Sequence, residues 1–526
     1  MNLIHDQWIP VVREDGTQCR IAPWQIAETD NPVVEIAAPR PDFQGGLYQF
    51  LIGLLQTCLP PTDADEWEER YEDIPSVDTL KAAFSKVSEA FELTSDVGKP
   101  AFLQDLDMSD GEDKDIATLL IEAPGENTTK NNADFFIKGG LVNGMCSCCA
   151  TQALFTLQTN APSGGAGHRV GLRGGGPLTT LVMPVGEVSL WNKLWLNVLA
   201  DGTRLSDSDH TGIEHAFPWL AETRVSDKAG APVTPETTNP LQMYWGMPRR
   251  IRLVASGEEG RCDLCGDESE LFKQFRMKNY GVNYDGAWVH PLTPYRFDIK
   301  NPDSLPLSLK GQKGGLSYRN WLGLVFTDAD NGDSAASVVR DFYEEKGLRE
   351  PLHLWCFGFD MDNMKARCWY DHTLPLFKIS SKNTRKVQGW IQHLLTAAKD
   401  TAPLLRKQIK AAWYRSPENA GGDISFIDTE FWQSTEPEFY RIVGKMVAAS
   451  DDYDLAPPEL YMRWYRVLAK TVENLFDQYA LKTSVEDLDL QRVIIARSQL
   501  MKFFYKKKTI RLLKEKGQAT KEAISE

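Results

Sequence analysis

The sequence lacks any apolar run near the roughly 20 residues that a bilayer-spanning helix requires. Its start, Met1-Asn2-Leu3-Ile4-His5-Asp6-Gln7-Trp8, has neither a basic n-region nor an apolar h-region. These absences set the expectation of a cytoplasmic protein with no membrane partner. Excess positive charge is missing as well: 58 Lys+Arg stand against 73 Asp+Glu, a net charge of −15. Nucleic-acid binding through bulk charge is thereby excluded, and any such contact must come from a few residues on loops. Nine unevenly spaced cysteines make no disulfide framework of the secreted kind. Catalytic signatures are scarce too. No HExxH, GxSxG or P-loop pattern occurs and the eight histidines are scattered, so a protein without catalytic activity is expected.

What the chain does have is two cysteine pairs of CxxC spacing, Cys146-Ser147-Cys148-Cys149 and Cys262-Asp263-Leu264-Cys265, with Gly266 following the second. Each pair can grip one tetrahedral ion from a tight turn. Together Cys146, Cys149, Cys262 and Cys265 offer four thiolates, the donor set of a closed structural zinc site with no open position for water. Cys148 is a bystander in this scheme. Two buried pairs acting as small hydrophobes are the competing reading. A redox CxxC is disfavoured because no βαβ pattern flanks either pair.

Between the pairs runs a glycine-rich loop, residues 161–177, with seven glycines from Gly164 to Gly176 and the basic side chains Arg169 and Arg173. It lacks the Gly-Lys-Ser/Thr ending of a P-loop. Backbone this bare can approach a nucleic-acid backbone or groove closely, and it is equally an ordinary flexible loop. Basic and aromatic residues interleave from Phe275 through Lys278, Asn279 and Tyr280 to Tyr295, which suits a base-stacking surface or a plain hairpin. Residues 353–370 read as two strands joined at Asp362-Asn363-Met364, a tip with an amide to read a base edge and an apolar side chain to wedge between base pairs. Residues 127–140 read as a loop with Asn131 exposed and Phe135 and Phe136 as anchor or stacking pair. Residues 105–116 read as an acidic surface loop.

The chain is long enough for two to four domains. A core helix is expected over 45–58, a more polar helical pair over 64–94, and a helix over 147–158. From about residue 384 the texture changes to four amphipathic stretches, 384–413, 426–448, 457–479 and 485–508, with short breaks between them. That pattern predicts an up-down four-helix bundle. From Arg385 to the end 23 basic residues meet 19 acidic ones, so this part is mildly positive. Lys407 and Lys410 on its first helix are candidate phosphate contacts. The expected class is α+β: a mixed domain over 1–380 with a zinc-knuckle-like staple of four cysteines, then the helical bundle over 381–526.

In order, Asp6-x-Trp8-Ile9-Pro10-Val11, the two CxxC pairs, Gly171-Leu172-Arg173-Gly174-Gly175, Trp288-x-His290-Pro291 and the helical C-terminus resemble the CasA family over essentially the whole chain. Its members are the large subunits of the type I-E CRISPR surveillance complex Cascade. The resemblance implies a non-enzymatic subunit that partners guide RNA and other Cascade subunits. It would recognise the short motif beside a double-stranded DNA target (the PAM), help open the duplex, and recruit a helicase-nuclease. It further implies that Gly164, Gly165 and Gly167 form a glycine loop, that a lysine finger falls at Lys278 or its neighbour Asn279, and that Asp362-Asn363-Met364 is the wedge. Asn363 stands where some members place glutamine, and the shorter amide reaches less far. The loop with Phe135 and Phe136 matches by position one that contacts the RNA end. The alternative from another class is a stand-alone zinc-stapled enzyme that processes nucleic acid.

Overall fold

Helix α1, Pro41–Cys58, is apolar on every side, and 15 of its 18 residues are buried. A helix with no polar face belongs in the middle of a core. Around its Phe50 the rings of Trp8, Phe91, Phe102, Phe155 and Trp245 stand edge-on at centroid distances of 5.3–6.0 Å. Such pairs contribute roughly 0.5–1.5 kcal/mol each beyond burial. This aromatic cluster gathers segments from five places in the sequence, which no local pattern foretells. The expected polar pair appears as Ala64–Glu72 and Val77–Ser85, with Trp67 and Tyr71 stacked at 5.4 Å. The helix expected over 147–158 is α2, Ser147–Asn160.

The computed structural model describes residues 1–519 except 97, 133–138, 166, 201–209, 211, 228–231, 312–314, 329–331, 345–350, 363–364 and 483–488. The chain divides into two compact units, residues 1–312 with 326–373, and residues 313–325 with 374–526. This differs from the expected 1–380 and 381–526 by residues 374–380 and by the 313–325 segment. No described helix is long and apolar enough to cross a membrane.

The first unit carries three sheets that matter here. Strands β1 (Ile9–Arg13), β2 (Gln18–Ile21) and β3 (Val33–Ile36) form one, in the order β2-β1-β3. The second holds β4 (Glu112–Asp115), β5 (Met145–Cys146) and the long antiparallel pair β7 (Arg250–Arg261) and β8 (Glu268–Lys278). The acidic stretch expected to be a loop thus contributes β4. Its carboxylates face water while its backbone extends the sheet along β8, and Asp113 pairs with Arg276 at 2.8 Å. The third sheet holds β6 (Thr179–Pro184), β9 (Leu352–Asp362) and β10 (Lys365–Leu376), in the order β10-β9-β6.

In the second unit the expected helices appear as α3 (Thr384–Trp413), α4 (Ser425–Ala449), α5 (Pro458–Ala480) and α6 (Leu490–Lys506). A further helix, α7 (Lys508–Gln518), corrects the count to five long helices among the described residues of this unit. The expected last helix breaks because Lys507 turns extended (φ −57°, ψ 131°). Residues beyond it then fold as a separate helix that buries Ile510 and Leu513 and packs on α5 and α3. The described residues 315–325 pack against the bundle through Tyr318. Tyr318 stacks on Phe439 at 4.3 Å and shares a hydrogen bond with Thr435 at 2.8 Å.

Candidate nucleic-acid interface

The four cysteine sulfurs of Cys146, Cys149, Cys262 and Cys265 lie within 4.8 Å of one another. Cys146 and Cys265 Sγ are 3.6 Å apart. A zinc ion with Zn–S bonds of about 2.3 Å needs sulfur–sulfur edges of about 3.8 Å, so the cluster fits a tetrahedral ion. Cys148 is buried but stands outside the set. Local structure explains the convergence. Cys146 caps helix α2, its sulfur accepting the Cys149 N–H at 3.4 Å, so the positive end of the helix faces the sulfurs. The second pair sits on the β7–β8 turn. There the Gly266 N–H donates to the Cys262 carbonyl at 2.9 Å, with Gly266 in the left-handed region. Asp263 ties the two knuckles, accepting N–H bonds from Asn143 at 2.6 Å and Gly144 at 2.9 Å. Arg20, on β2, points a guanidinium N–H at Cys265 Sγ from 3.9 Å.

Two elements leave this cluster. Helix α2 runs for 14 residues, roughly 20 Å, and ends at Ala161, where the glycine-rich segment begins. Strand β8 runs for 11 residues, roughly 35 Å, and ends at Lys278. A metal at the cluster would therefore set the relative register of two arms whose far ends carry the glycine loop and the lysine. It would sit too far away to touch whatever those ends bind.

The far ends meet. The Tyr280 N–H donates to the Gly167 carbonyl at 2.8 Å. Gly167 has φ +83°, and a Cβ there would lie 2.8 Å from Asn279 Cβ and 2.9 Å from the Tyr280 nitrogen. Tyr280 itself is left-handed at φ 61°, a strained state for an aromatic residue, and it is 40% exposed. At the other end of the segment, a Cβ on Gly176 would meet the Met361 side chain at 2.7 Å and the Phe359 carbonyl at 2.9 Å. The glycine segment thus lies against both the exit of β8 and strand β9, which leads to the Asp362 tip.

Among the sequence candidates, Gly164, Gly165 and Gly167 form a turn closed by a bridge from Gly164 to His168. Lys278 is half-buried, with its ammonium 3.4 Å from Asp107. Asp107 is held below its ordinary carboxylate range, first by hydrogen bonds from Ser109 and then by Lys278. Asn279 is exposed beside it. Asp362 pairs with Arg367 at 3.2 Å, and Arg367 also grips buried Asp360 at 2.7 and 3.0 Å, so this carboxylate anchors the hairpin. Asn363, Met364, Phe135 and Phe136 lie outside the described residues. Asn131 is an exposed turn residue, Lys407 is exposed on α3, and Lys410 is half-buried there.

Two phosphate candidates are engaged by the chain itself. Arg169 is committed to Ser226, donating to its Oγ and its carbonyl, both at 2.6 Å. Ser226 in turn donates from Oγ to the Gly281 carbonyl and from N–H to the Tyr280 carbonyl. Arg173 is only 6% exposed and donates to Thr293, Thr179 and Gln49, far from any solvent-side phosphate. Sequence reasoning missed Ser226, and it missed Arg249, whose guanidinium holds the Pro162 carbonyl at the start of the loop. These partners lie 57 and 87 residues from the loop residues they hold, so spacing gives no signal. Replacing Arg169 by alanine is expected to destabilise the unit by about 1–3 kcal/mol, read as a lower melting temperature, because it removes the donor to the Ser226 carbonyl. The salt slope of DNA binding should stay unchanged, whereas losing a phosphate contact would reduce it by about one.

The chain matches the family model described as CRISPR-associated protein Cse1 over residues 2–475. It is also similar to a crystal structure of CasA from Thermus thermophilus, with TM-score 0.68, 17% identity, and coverage of 96% of this chain and 100% of that one. Thermobifida fusca Cse1 gives TM-score 0.70 at 16% identity, covering 99% of each chain. A chain of a CRISPR RNA-guided surveillance complex gives TM-score 0.66 at 16% identity, covering 95% of this chain and 99% of that one. At these identities the solved structures establish the fold, and with the match of the family model across nearly its whole length this chain belongs to the CRISPR-associated Cse1 family.

Proposed function

We propose that this chain is the large, non-catalytic subunit of a type I-E CRISPR RNA-guided surveillance complex, and that it reads the PAM of double-stranded DNA. The carrying observation is the junction of Gly167 with Asn279 and Tyr280 through the 2.8 Å bond from the Tyr280 N–H. It joins the glycine loop and the lysine, more than a hundred residues apart in sequence, into one surface. The family relation and the likeness to a chain of a surveillance complex support the same reading.

Glycines let backbone approach the minor groove, and Lys278 supplies one charge-assisted contact there. A minor-groove reader sees a degenerate pattern, so several PAM sequences should be tolerated. The wedge residues Asn363 and Met364 would unstack the first pair at a cost of a few kcal/mol. Base pairing to guide RNA then carries most sequence discrimination, as in other RNA-guided effectors. Sister subunits supply the affinity that an acidic chain lacks, and a helicase-nuclease is recruited once the duplex is open. Zinc at the four-cysteine cluster holds the two arms in register.

The test is PAM-dependent duplex binding by the reconstituted complex at fixed salt. Lys278→Ala is expected to reduce the preference for a PAM duplex about tenfold. Asp107→Asn should raise duplex affinity, since the exposed pair it breaks contributes about 0–1 kcal/mol and frees the lysine. Leaving the subunit out should abolish the preference while the guide RNA still assembles with the sister subunits. An omission that changes nothing would refute the reading. Hydrolysis of nucleic acid by the chain alone would favour the stand-alone enzyme instead.

A further inference from the structure

Apart from the DNA-reading surface, the first unit buries a positive charge without a negative one. Arg173 is 6% exposed, and its hydrogen-bond partners are the neutral oxygens of Thr293, Thr179 and Gln49. No carboxylate pairs with it among the described residues. Burial lowers its pKa to about 10, so it stays charged at neutral pH. The groups nearest it carry no compensating charge. Burial, and then Arg173 itself, hold His290 well below its ordinary value, so that ring is neutral. Burial pushes the Tyr244 hydroxyl far up and raises Tyr295 as well, so both phenols keep their protons.

Arg173 borders a small cavity that Gln49, Tyr244 and His290 also line. The space open to the centre of a water-sized sphere is about 20 Å³, room for one water or one ion of similar size. Two of the side chains that line it, Tyr244 and His290, have donor capacity left over. The Tyr244 hydroxyl is buried and has no hydrogen-bond partner. His290 accepts the Leu292 N–H on Nδ1 at 3.1 Å, which leaves its proton on Nε2. Tyr295, by contrast, is fully engaged, donating to the Trp288 carbonyl at 2.8 Å and accepting the His290 N–H at 3.0 Å.

We propose that this cavity is a binding site for one small monovalent anion of chloride size, held between the Arg173 guanidinium and the Tyr244 hydroxyl. Burying a charge is costly unless it is both paired and hydrogen-bonded, and Arg173 has its hydrogen bonds without a counter-charge. An anion supplies the missing charge and accepts the orphaned hydroxyl proton at once. A water would satisfy Tyr244 and leave the charge uncompensated. Because Arg173 donates to Thr179 on β6 and to Gln49 on α1, the ion would brace the contact between these elements.

The test uses the full chain at constant ionic strength, with sodium gluconate exchanged stepwise for sodium chloride. The melting temperature is expected to rise with chloride and saturate, as for any ligand that binds only the folded state. Tyr244→Phe keeps the ring and removes the hydroxyl; it should move the chloride midpoint up by about tenfold or more. Crystals soaked in bromide should show an anomalous peak beside Arg173. A wild-type melting temperature indifferent to the anion, a Tyr244→Phe midpoint equal to wild type, or bromide peaks elsewhere with none at Arg173 would each overturn the proposal.

Discussion

A fresh, unchelated preparation is expected to contain one zinc equivalent per chain, and stripping it should lower the stability of the first unit by about 5 kcal/mol, roughly 7 °C in melting temperature. The expectation follows from how the cluster is wired. It joins β5 with the start of α2 to the β7–β8 turn, elements whose sulfurs stand more than a hundred positions apart in sequence. Without a dication the four sulfurs, three of them on buried residues, would remain as thiols and lose the bond that closes this long loop. The double substitution Cys262→Ser with Cys265→Ser should reproduce the loss. Cys148→Ser should leave the metal content unchanged, since that residue is outside the set. Metal analysis with and without a chelator, beside calorimetry, reads both. Less than half an equivalent of zinc would sink the staple. The same loss should weaken PAM discrimination, because α2 and β8 would no longer be held in register at their far ends.

How much of this was legible in the sequence depends on the range of each interaction. The CxxC pairs were legible because chelation needs a fixed local spacing, and the two halves then had only each other to pair with. Helix α3 was read to the residue because its apolar stripe and its ends are local signals. Helix α7 was missed because Lys506-Lys507-Lys508 reads as one more charged turn, whereas Lys507 is extended and the helix beyond it buries Ile510 and Leu513. The partners of the arginines in the glycine segment were out of reach for a related reason. A basic residue among glycines reads as a ligand contact, yet Arg169 and Arg173 hold Ser226 and Thr293, partners 57 and 120 residues away. Glycines permit close approach, and Gly167 and Gly176 do lie in tight contact with a neighbouring segment. What they approach in this structure is the chain's own backbone and side chains.

That last point yields the sharpest test of the proposed DNA-reading surface. At Gly167, alanine is expected to reduce PAM-dependent duplex binding at least tenfold while the melting temperature falls by only a few degrees. The added methyl would sit 2.9 Å from the Tyr280 nitrogen, a backbone atom that cannot rotate aside. It would also hold alanine at φ +83°, which adds roughly 1–2 kcal/mol of strain. The unit can relieve both by letting the loop swing off the β8 exit, which breaks the Gly167–Tyr280 bond and releases Asn279 and Lys278 from their position. Gly165 provides the steric contrast: its φ of +20° also disfavours alanine, but a Cβ there meets nothing within 4 Å. If the loop acts mainly by fixing the lysine, Gly165→Ala should do much less harm than Gly167→Ala. If instead the bare backbone itself enters the groove, Gly165→Ala should be the worse of the two, since its methyl points into the space the duplex would fill. Equal binding by Gly167→Ala and wild type would mean that the junction is a packing contact with no part in reading DNA.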